Sequence, residues 1–120
     1  MKKIFRGIIA VLLVAAGLFV ANGVVQAEED KYTQKYKAQI QKYTDKINKN
    51  PNDAVLYYNR GFAYDMLHQR ELAIKDYSKA IQLNPDFAGA YYYDRGLCYK
   101  ALGNMTSASA DFAKAKQLGY

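Results

Sequence analysis

Side chains that could perform nucleophilic or metal chemistry are scarce in this sequence. It contains one histidine, His68, and one cysteine, Cys98, which are too few for a zinc site within one chain. A lone cysteine also rules out an intrachain disulfide. The sequence has no glycine-rich phosphate loop and no carboxylate cluster suited to a metal, and nothing in it completes a triad from His68 with Ser78, Ser107 or Ser109. We therefore predict a non-enzymatic protein with no catalytic residues, cofactor or metal.

The first residues have the pattern of a secretory signal peptide. A basic start, Met1–Arg6, precedes the apolar run Ile8–Val20, an expected helix break at Asn22-Gly23, and the cleavage sequence Val25-Gln26-Ala27. We predict that residues 1–27 are removed, so that the mature chain begins at Glu28 and is periplasmic or secreted in a bacterium. The alternative is an uncleaved leader that anchors the protein in the membrane, because the apolar run is just long enough to span a bilayer.

Charge is distributed unevenly along the chain. The formal charge is +6, from 17 Lys and Arg against 11 Asp and Glu, and three of the basic residues lie in the leader, which contains no acid. The remaining excess is therefore 3, and we predict no nucleic-acid partner for an exported protein with so small an excess.

A lysine-rich segment follows the leader. Residues 28–50 open with acids, as a helix N-terminus favours, and then carry an apolar stripe at helical spacing. The stripe consists of Tyr32, Tyr36, Ile40, Tyr43 and Ile47. A basic stripe runs beside it and consists of Lys31, Lys35, Lys42, Lys46 and Lys49. We predict an amphipathic helix near residues 30–49.

The rest of the chain contains an internal repeat. Residues 57–85 recur at 92–120, so that matching residues stand 35 apart. The matches are Gly61 with Gly96, Tyr64 with Tyr99, Ala73 with Ala108, Tyr77 with Phe112, and Ala80 with Ala115. Aligning the glycines pairs Tyr92 with Tyr57. A period of this length indicates stacked supersecondary units.

Each copy has the pattern of two antiparallel helices. Tyr57, Gly61 and Tyr64 share one helix face, and the small Gly61 lets a second helix approach closely. We predict helix pairs at 54–67/70–83 and 88–102/105–118. Gly103 is a conventional helix stop, and His68 takes its place in the first copy, in the left-handed conformation. Cys98 matches Ala63, which favours a small buried packing residue.

The spaced aromatic, Gly, Tyr, Ala and Pro residues closely resemble the tetratricopeptide repeat. The resemblance implies an all-α fold, an antiparallel helix-pair solenoid with two repeats, at about 54–87 and 88–120, behind the N-terminal helix. It also suggests an ion pair within each repeat, Arg60 with Asp76 and Arg95 with Asp111. The alternative is that these are simply exposed charges.

The resemblance further implies a concave groove formed by the first helix of each pair, which binds a peptide or a partner's helix. The carboxylate-binding version of this groove does not fit, because Tyr58, Phe62 and Tyr93 occupy its Lys, Arg and Asn positions. The mapped groove residues are Val55, Tyr58, Asn59, Phe62, Asp65, Met66, Tyr93, Asp94, Leu97, Lys100 and Ala101. The alternative is that this surface packs against another copy of the chain.

Residues 28–50 have two interpretations. Tyr43 and Ile47 fall one repeat before Tyr77 and Ile81, which predicts a half-repeat that caps the stack with a polar outer face. The lysines also suit an anionic lipid or cell-wall polymer. At the other end no capping helix is recognisable, so we expect an open apolar face around Phe112 and Leu118. The chain should then be either marginally stable alone or self-associated through the C-terminal repeat.

Two functions follow from these features. The first is a scaffold of the cell envelope that binds another protein. The second is a peripheral envelope component that the basic stripe holds on an anionic surface.

Overall fold

The structure, a computed structural model, describes the backbone of residues 2–120 and the side chains of residues 23–120. All regular elements in this range are helical. The chain divides into two compact units, residues up to Gln34 and residues 35–120. The helices are α1 (Lys2–Lys49), α2 (Ala54–Met66), α3 (Arg70–Leu83), α4 (Gly89–Ala101) and α5 (Met105–Gln117), with a 3-10 turn at Pro85–Phe87. The all-α helix-pair fold is confirmed, and each end of the two predicted pairs lies within one residue of its expected place.

Helix α1 ends where we predicted but is longer than expected. The predicted break at Asn22-Gly23 is wrong, because the helix continues through both residues. A glycine in a helix interior costs only about 1 kcal/mol relative to alanine, which neighbouring helix formers offset. The apolar run Ile8–Val20 lies outside the residues whose side chains are described, and among the described residues no helix is long and apolar enough to cross a bilayer.

The two tight turns inside the helix pairs explain where the helices stop. His68 has a φ of 59° and Gly103 a φ of 81°, so the predicted left-handed stop at His68 is confirmed. Two of the helices, α2 and α5, also begin with side-chain caps. Asp53 accepts the backbone N–H of Val55 at 3.0 Å, and the side chain of Asn104 accepts that of Ser107 at 3.1 Å.

Two glycines allow the paired helices to pack closely. A Cβ atom at Gly61 would lie 2.9 Å from the ring of Tyr77, and one at Gly96 would lie 2.8 Å from the ring of Phe112. These equivalent contacts confirm the alignment of the repeats with a spacing of 35, and with it the pairing of Tyr92 with Tyr57.

The hydrophobic core is built around small buried residues. Ala73, Tyr77 and Cys98 form one buried cluster, and Ala80, Ala88 and Tyr91 are part of a second. Cys98 is 1% exposed, which confirms its packing role, and burial raises the pKa of its thiol to about 12.

The last turns of α1 lie against the first helix pair. Ile47 is buried, and the Nη1 of Arg60 donates to the hydroxyl of Thr44 at 3.2 Å. One repeat later, the Nη1 of Arg95 donates to the hydroxyl of Ser78 at 3.0 Å. The end of α1 therefore accepts from α2 the same kind of hydrogen bond that α3 accepts from α4. Its role as a cap stays a prediction.

Candidate functional site on helices α2 and α4

The predicted groove residues all lie on α2 and α4, the first helix of each pair. Two of them, Tyr58 and Asp94, also form a hydrogen bond across the junction between the repeats. Val55 and Phe62 of α2 and Tyr93, Leu97, Lys100 and Ala101 of α4 are exposed. Tyr58, Asn59, Asp65, Met66 and Asp94 are half-buried. Their role in binding a partner stays a prediction.

Tyr58 belongs to the packing between the repeats. Its hydroxyl donates to Asp94 Oδ2 at 2.7 Å, and its ring centroid lies 5.6 Å from that of Tyr77 and 4.8 Å from that of Tyr91. Burial, and then the bond to Asp94, raise the pKa of the Tyr58 hydroxyl. The predicted groove residue Tyr58 therefore packs on Tyr77 of its own helix pair as well as on Tyr91 of the next repeat.

Tyr93 occupies the equivalent position in the second repeat. Its ring centroid lies 5.5 Å from that of Phe112 and 5.2 Å from that of Tyr120. The chain turns at Gly119, with a φ of 85°, to bring Tyr120 there. Tyr93 nevertheless remains 39% exposed.

The expected open face on α5 is smaller than predicted. Phe112 is half-buried beneath Tyr93, and Leu118 is half-buried against the core cluster that contains Tyr91. The expectation that these two side chains are open is wrong, because the residues after α5 fold back toward α4. Self-association through this repeat stays a prediction.

The two predicted ion pairs form, and the interpretation as exposed charges is wrong. The Nε and Nη2 of Arg60 donate to the two carboxylate oxygens of Asp76 at 2.8 Å each. Arg95 and Asp111 repeat this geometry at 2.8 and 2.7 Å. Asp76 is only 4% exposed, and its hydrogen bond raises the pKa of Arg60.

Tyrosine rings flank each arginine of these pairs. The guanidinium of Arg60 lies 5.8 Å from the ring centroid of Tyr57 and 6.0 Å from that of Tyr64. Arg95 lies at 5.3 and 5.8 Å from the rings of the equivalent Tyr92 and Tyr99. These distances are typical of cation–π contacts, which here lie within one helix, while the ion pairs join that helix to the second helix of its pair.

Asp65 and Asp94 give the α2/α4 face an acidic character. Asp65 lies 3.7 Å from the Nε of Arg70. Asp94 forms no ion pair with any residue of the described part of the chain. Burial raises the pKa of Asp94, the bond from Tyr58 lowers it, and the charge of Asp65 raises it, with a net upward shift.

The partner of Asp94 could not be found from the sequence. The resemblance to the repeat family places Asp94 in the groove but gives no reason to pair it with Tyr58, 36 residues earlier. The signal that was available is the change from Asn59 in the first repeat to Asp94 at the equivalent place in the second.

The basic stripe is accessible. All five of its lysines, Lys31, Lys35, Lys42, Lys46 and Lys49, are exposed. The ammonium groups of Lys35 and Lys42 lie 5.2 and 5.7 Å from the ring centroids of Tyr36 and Tyr43.

Comparison with family models places the helix pairs in a known family. The model described as tetratricopeptide repeat matches residues 54–87, and a second model with the same description matches residues 89–118. The chain belongs to the tetratricopeptide repeat family. Membership supports a role in binding other proteins.

Curated relatives share part of this chain. Hsp70-Hsp90 organizing protein 3 of Arabidopsis thaliana is 39% identical over 58 residues, which are 48% of this chain and 10% of that protein. Small glutamine-rich tetratricopeptide repeat-containing protein 2 of Saccharomyces cerevisiae is 31% identical over 67 residues, which are 56% of this chain and 19% of that protein. The chain thus spans only a small part of the length of these relatives.

Solved structures share the fold. The second tetratricopeptide domain of Spaghetti (RPAP3), bound to the HSP90 peptide SRMEEVD, has a TM-score of 0.67 and 32% identity over 70% of this chain and 77% of its own. The structure of residues 41 to the end of MamA from Desulfovibrio magneticus RS-1 has a TM-score of 0.67 and 30% identity, over 73% of this chain and 49% of its own.

Proposed function

We propose that this chain is a non-enzymatic interaction module of the cell envelope that binds a peptide or helix of a partner protein on the α2/α4 face. One observation carries the proposal. Four large apolar side chains, Val55, Phe62, Tyr93 and Leu97, remain exposed on these two adjacent helices. Exposed apolar groups gathered in this way mark interaction surfaces on soluble domains. The peptide held by the RPAP3 domain supports the same kind of ligand.

Two equivalent positions provide the test. Phe62 and Leu97 stand 35 residues apart, one on each repeat, and both are more than one third exposed. Replacing both with alanine should remove most of the partner capture from envelope extract, because these side chains supply exposed contact area. The Phe62 ring also packs edge-on to that of Tyr36, with centroids 6.4 Å apart, so the free energy of unfolding should fall by about 1 kcal/mol for each truncated side chain.

The control for this variant is also apolar and equally exposed. Leu72 and Leu102 are 45% and 44% exposed and lie outside the groove positions. The variant with alanine at both should capture the same partners as the wild type, identified by mass spectrometry. Equal capture by both double variants would disprove binding on the α2/α4 face.

The location of the module in the envelope belongs to the same proposal. Export follows from the leader sequence, and cleavage after Ala27 would leave Glu28 as the first residue. N-terminal sequencing of the protein recovered from the envelope fraction decides this point. Glu28 is the expected result, and Met1 on membrane-bound protein would establish the anchored alternative.

The exposed basic stripe favours a second candidate function, attachment to an anionic lipid or cell-wall polymer. Five accessible lysines on one helix attract anionic surfaces, and salt screens that attraction. Cosedimentation with vesicles containing an anionic lipid should then fall at high salt, and should fall in the variant with Lys42, Lys46 and Lys49 changed to Gln. Apolar partner capture on the α2/α4 face should resist the same salt.

A further inference from the structure

Asp94 differs from the two other aspartates buried within the repeats. Asp76 and Asp111 each receive two hydrogen bonds from an arginine. Asp94 is half-buried and receives one bond, from the hydroxyl of Tyr58 to Oδ2. The part of the chain that the structure describes supplies no cation to it. A carboxylate removed from water is costly unless it is paired.

A second polar group at the junction of the repeats is also incompletely paired. Tyr77 is 0% exposed, and its hydroxyl has no hydrogen-bond partner among the described residues. The Tyr77 ring packs against that of Tyr58, whose hydroxyl donates a hydrogen bond to Asp94. After burial, the charge of Asp94 is the largest influence that raises the pKa of the Tyr77 hydroxyl. An unpaired buried hydroxyl costs about 1–3 kcal/mol, so the two groups form an incomplete polar site at the junction of the repeats.

The surroundings of this site indicate the chemistry of what completes it. Asp65 adds a second carboxylate near Asp94, although Arg70 lies 3.7 Å from it. Apolar side chains that remain exposed, Phe62 and Leu97, flank the acids on α2 and α4. An ammonium or guanidinium group on an apolar stem satisfies both features, because lysine and arginine bury their methylene groups while the charge finds a partner.

We propose that Asp94 pairs with a lysine or arginine side chain of the partner segment that binds the α2/α4 face. This inference rests on the proposed function and gives its partner a charge. The N–H groups of the incoming cation donate to the carboxylate of Asp94, which the hydroxyl of Tyr58 already holds in place. The SRMEEVD peptide of the RPAP3 domain carries three acids, so we expect this chain to prefer peptides of the opposite charge.

Immobilised peptide pools provide the test. Each pool consists of ten-residue peptides with random apolar, aromatic and small residues around one fixed central residue, which is Lys, Arg, Glu or norleucine. The purified full chain, in mild detergent, should bind the Lys and Arg pools about tenfold more strongly than the norleucine pool, which corresponds to one well-formed charge contact. Binding to the Glu pool should be weakest.

Two variants of equal charge separate the site from the net charge of the protein. Asp94→Asn keeps the shape of the side chain and an oxygen for Tyr58, and should lose the tenfold preference. Asp86→Asn removes an exposed charge in the 3-10 turn and should keep it. Thermal unfolding of both variants checks the fold.

The outcomes distinguish this inference from the proposed function. Equal binding of all four pools, a preference unchanged in Asp94→Asn, or no binding to any pool would overturn the inference. If the norleucine pool binds and the Phe62/Leu97 double variant loses it, the proposed function stands without a charge preference. If that double variant binds all pools like the wild type, the proposed function itself is wrong.

Discussion

The two repeats share one framework and differ at one aromatic position. In both, an arginine on the first helix holds an aspartate on the second and reaches back to a hydroxyl on the helix before. Tyr58 and Tyr93 are equivalent residues within that framework. Tyr91 of the following repeat covers Tyr58, whereas the single residue Tyr120 covers Tyr93.

This difference shows that repeat position alone does not decide the role of a side chain. Tyr58 is half-buried and hydrogen-bonded to Asp94, so it holds the repeats together. Tyr93 remains more than one third exposed and can contact a partner. The element that packs next in the stack decides between the two roles.

Substitutions in the shared arginine–aspartate pairs should cause the largest loss in the free energy of unfolding. Asp76→Ala leaves the largely buried charge of Arg60 without its carboxylate partner, and we expect a loss of about 3 kcal/mol in the free energy of unfolding. Asp111→Ala should cost about as much through Arg95. Urea unfolding followed by circular dichroism measures both.

The exposed Asp45, which accepts a bond from the side chain of Gln41, provides the control for these two variants. Asp45→Ala should change the free energy of unfolding by less than about 0.5 kcal/mol. An Asp76→Ala protein as stable as this control would show that the arginine pairs do not brace the repeats.

The difference between the repeats should give the next largest effect. Tyr58→Ala leaves a cavity at the junction between the repeats. It should lower the free energy of unfolding by about 3 kcal/mol, at the lower end for a buried aromatic ring. Tyr93→Ala should cost about 1 kcal/mol, because part of its ring already faces water. Equal losses in the same unfolding assay would mean that Tyr120 covers Tyr93 as fully as Tyr91 covers Tyr58.

Substitutions in the turns inside the two helix pairs should change the free energy of unfolding in opposite directions. His68 holds a left-handed conformation that glycine adopts without strain. His68→Gly should therefore raise the free energy of unfolding by up to about 1 kcal/mol, and Gly103→Ala should lower it by about 1 kcal/mol. A loss of stability in His68→Gly would instead show that the contact between His68 and Arg70, at 3.2 Å, outweighs the backbone strain at this turn.

The smallest effect concerns pH. Because the net shift raises the pKa of Asp94 in the folded state, its protonated form favours folding, and that contribution is lost as the pH rises through the folded pKa. Asp94→Asn should therefore be slightly more stable than the wild type at neutral pH, and the gap should close in acid. The groups that face Asp94 are Tyr58, Asp65, Tyr77 and Cys98. A gap that widens in acid would contradict the assigned direction.

Local patterns in the sequence were sufficient for the helices and their internal packing. The spacing of 35 residues predicted both helix pairs, and Gly61 and Gly96 predicted the close approach of the paired helices. The alignment of His68 with Gly103 predicted a left-handed turn without a glycine. These features depend on residues within one repeat, so each copy of the sequence contains the necessary information.

Features that join the repeats could be decided only by the tertiary structure. The sequence could not distinguish ion-paired arginines from exposed ones. It also could not assign Tyr58 to the junction and Tyr93 to the surface, because the two tyrosines occupy equivalent positions in their repeats. The hydrogen bond from Tyr58 to Asp94 spans 36 residues, and Tyr120 reaches Tyr93 only after the turn at Gly119. Local spacing repeats from one copy to the next, whereas burial depends on which side chains the neighbouring helices bring into contact, and that is set only when the helices stack.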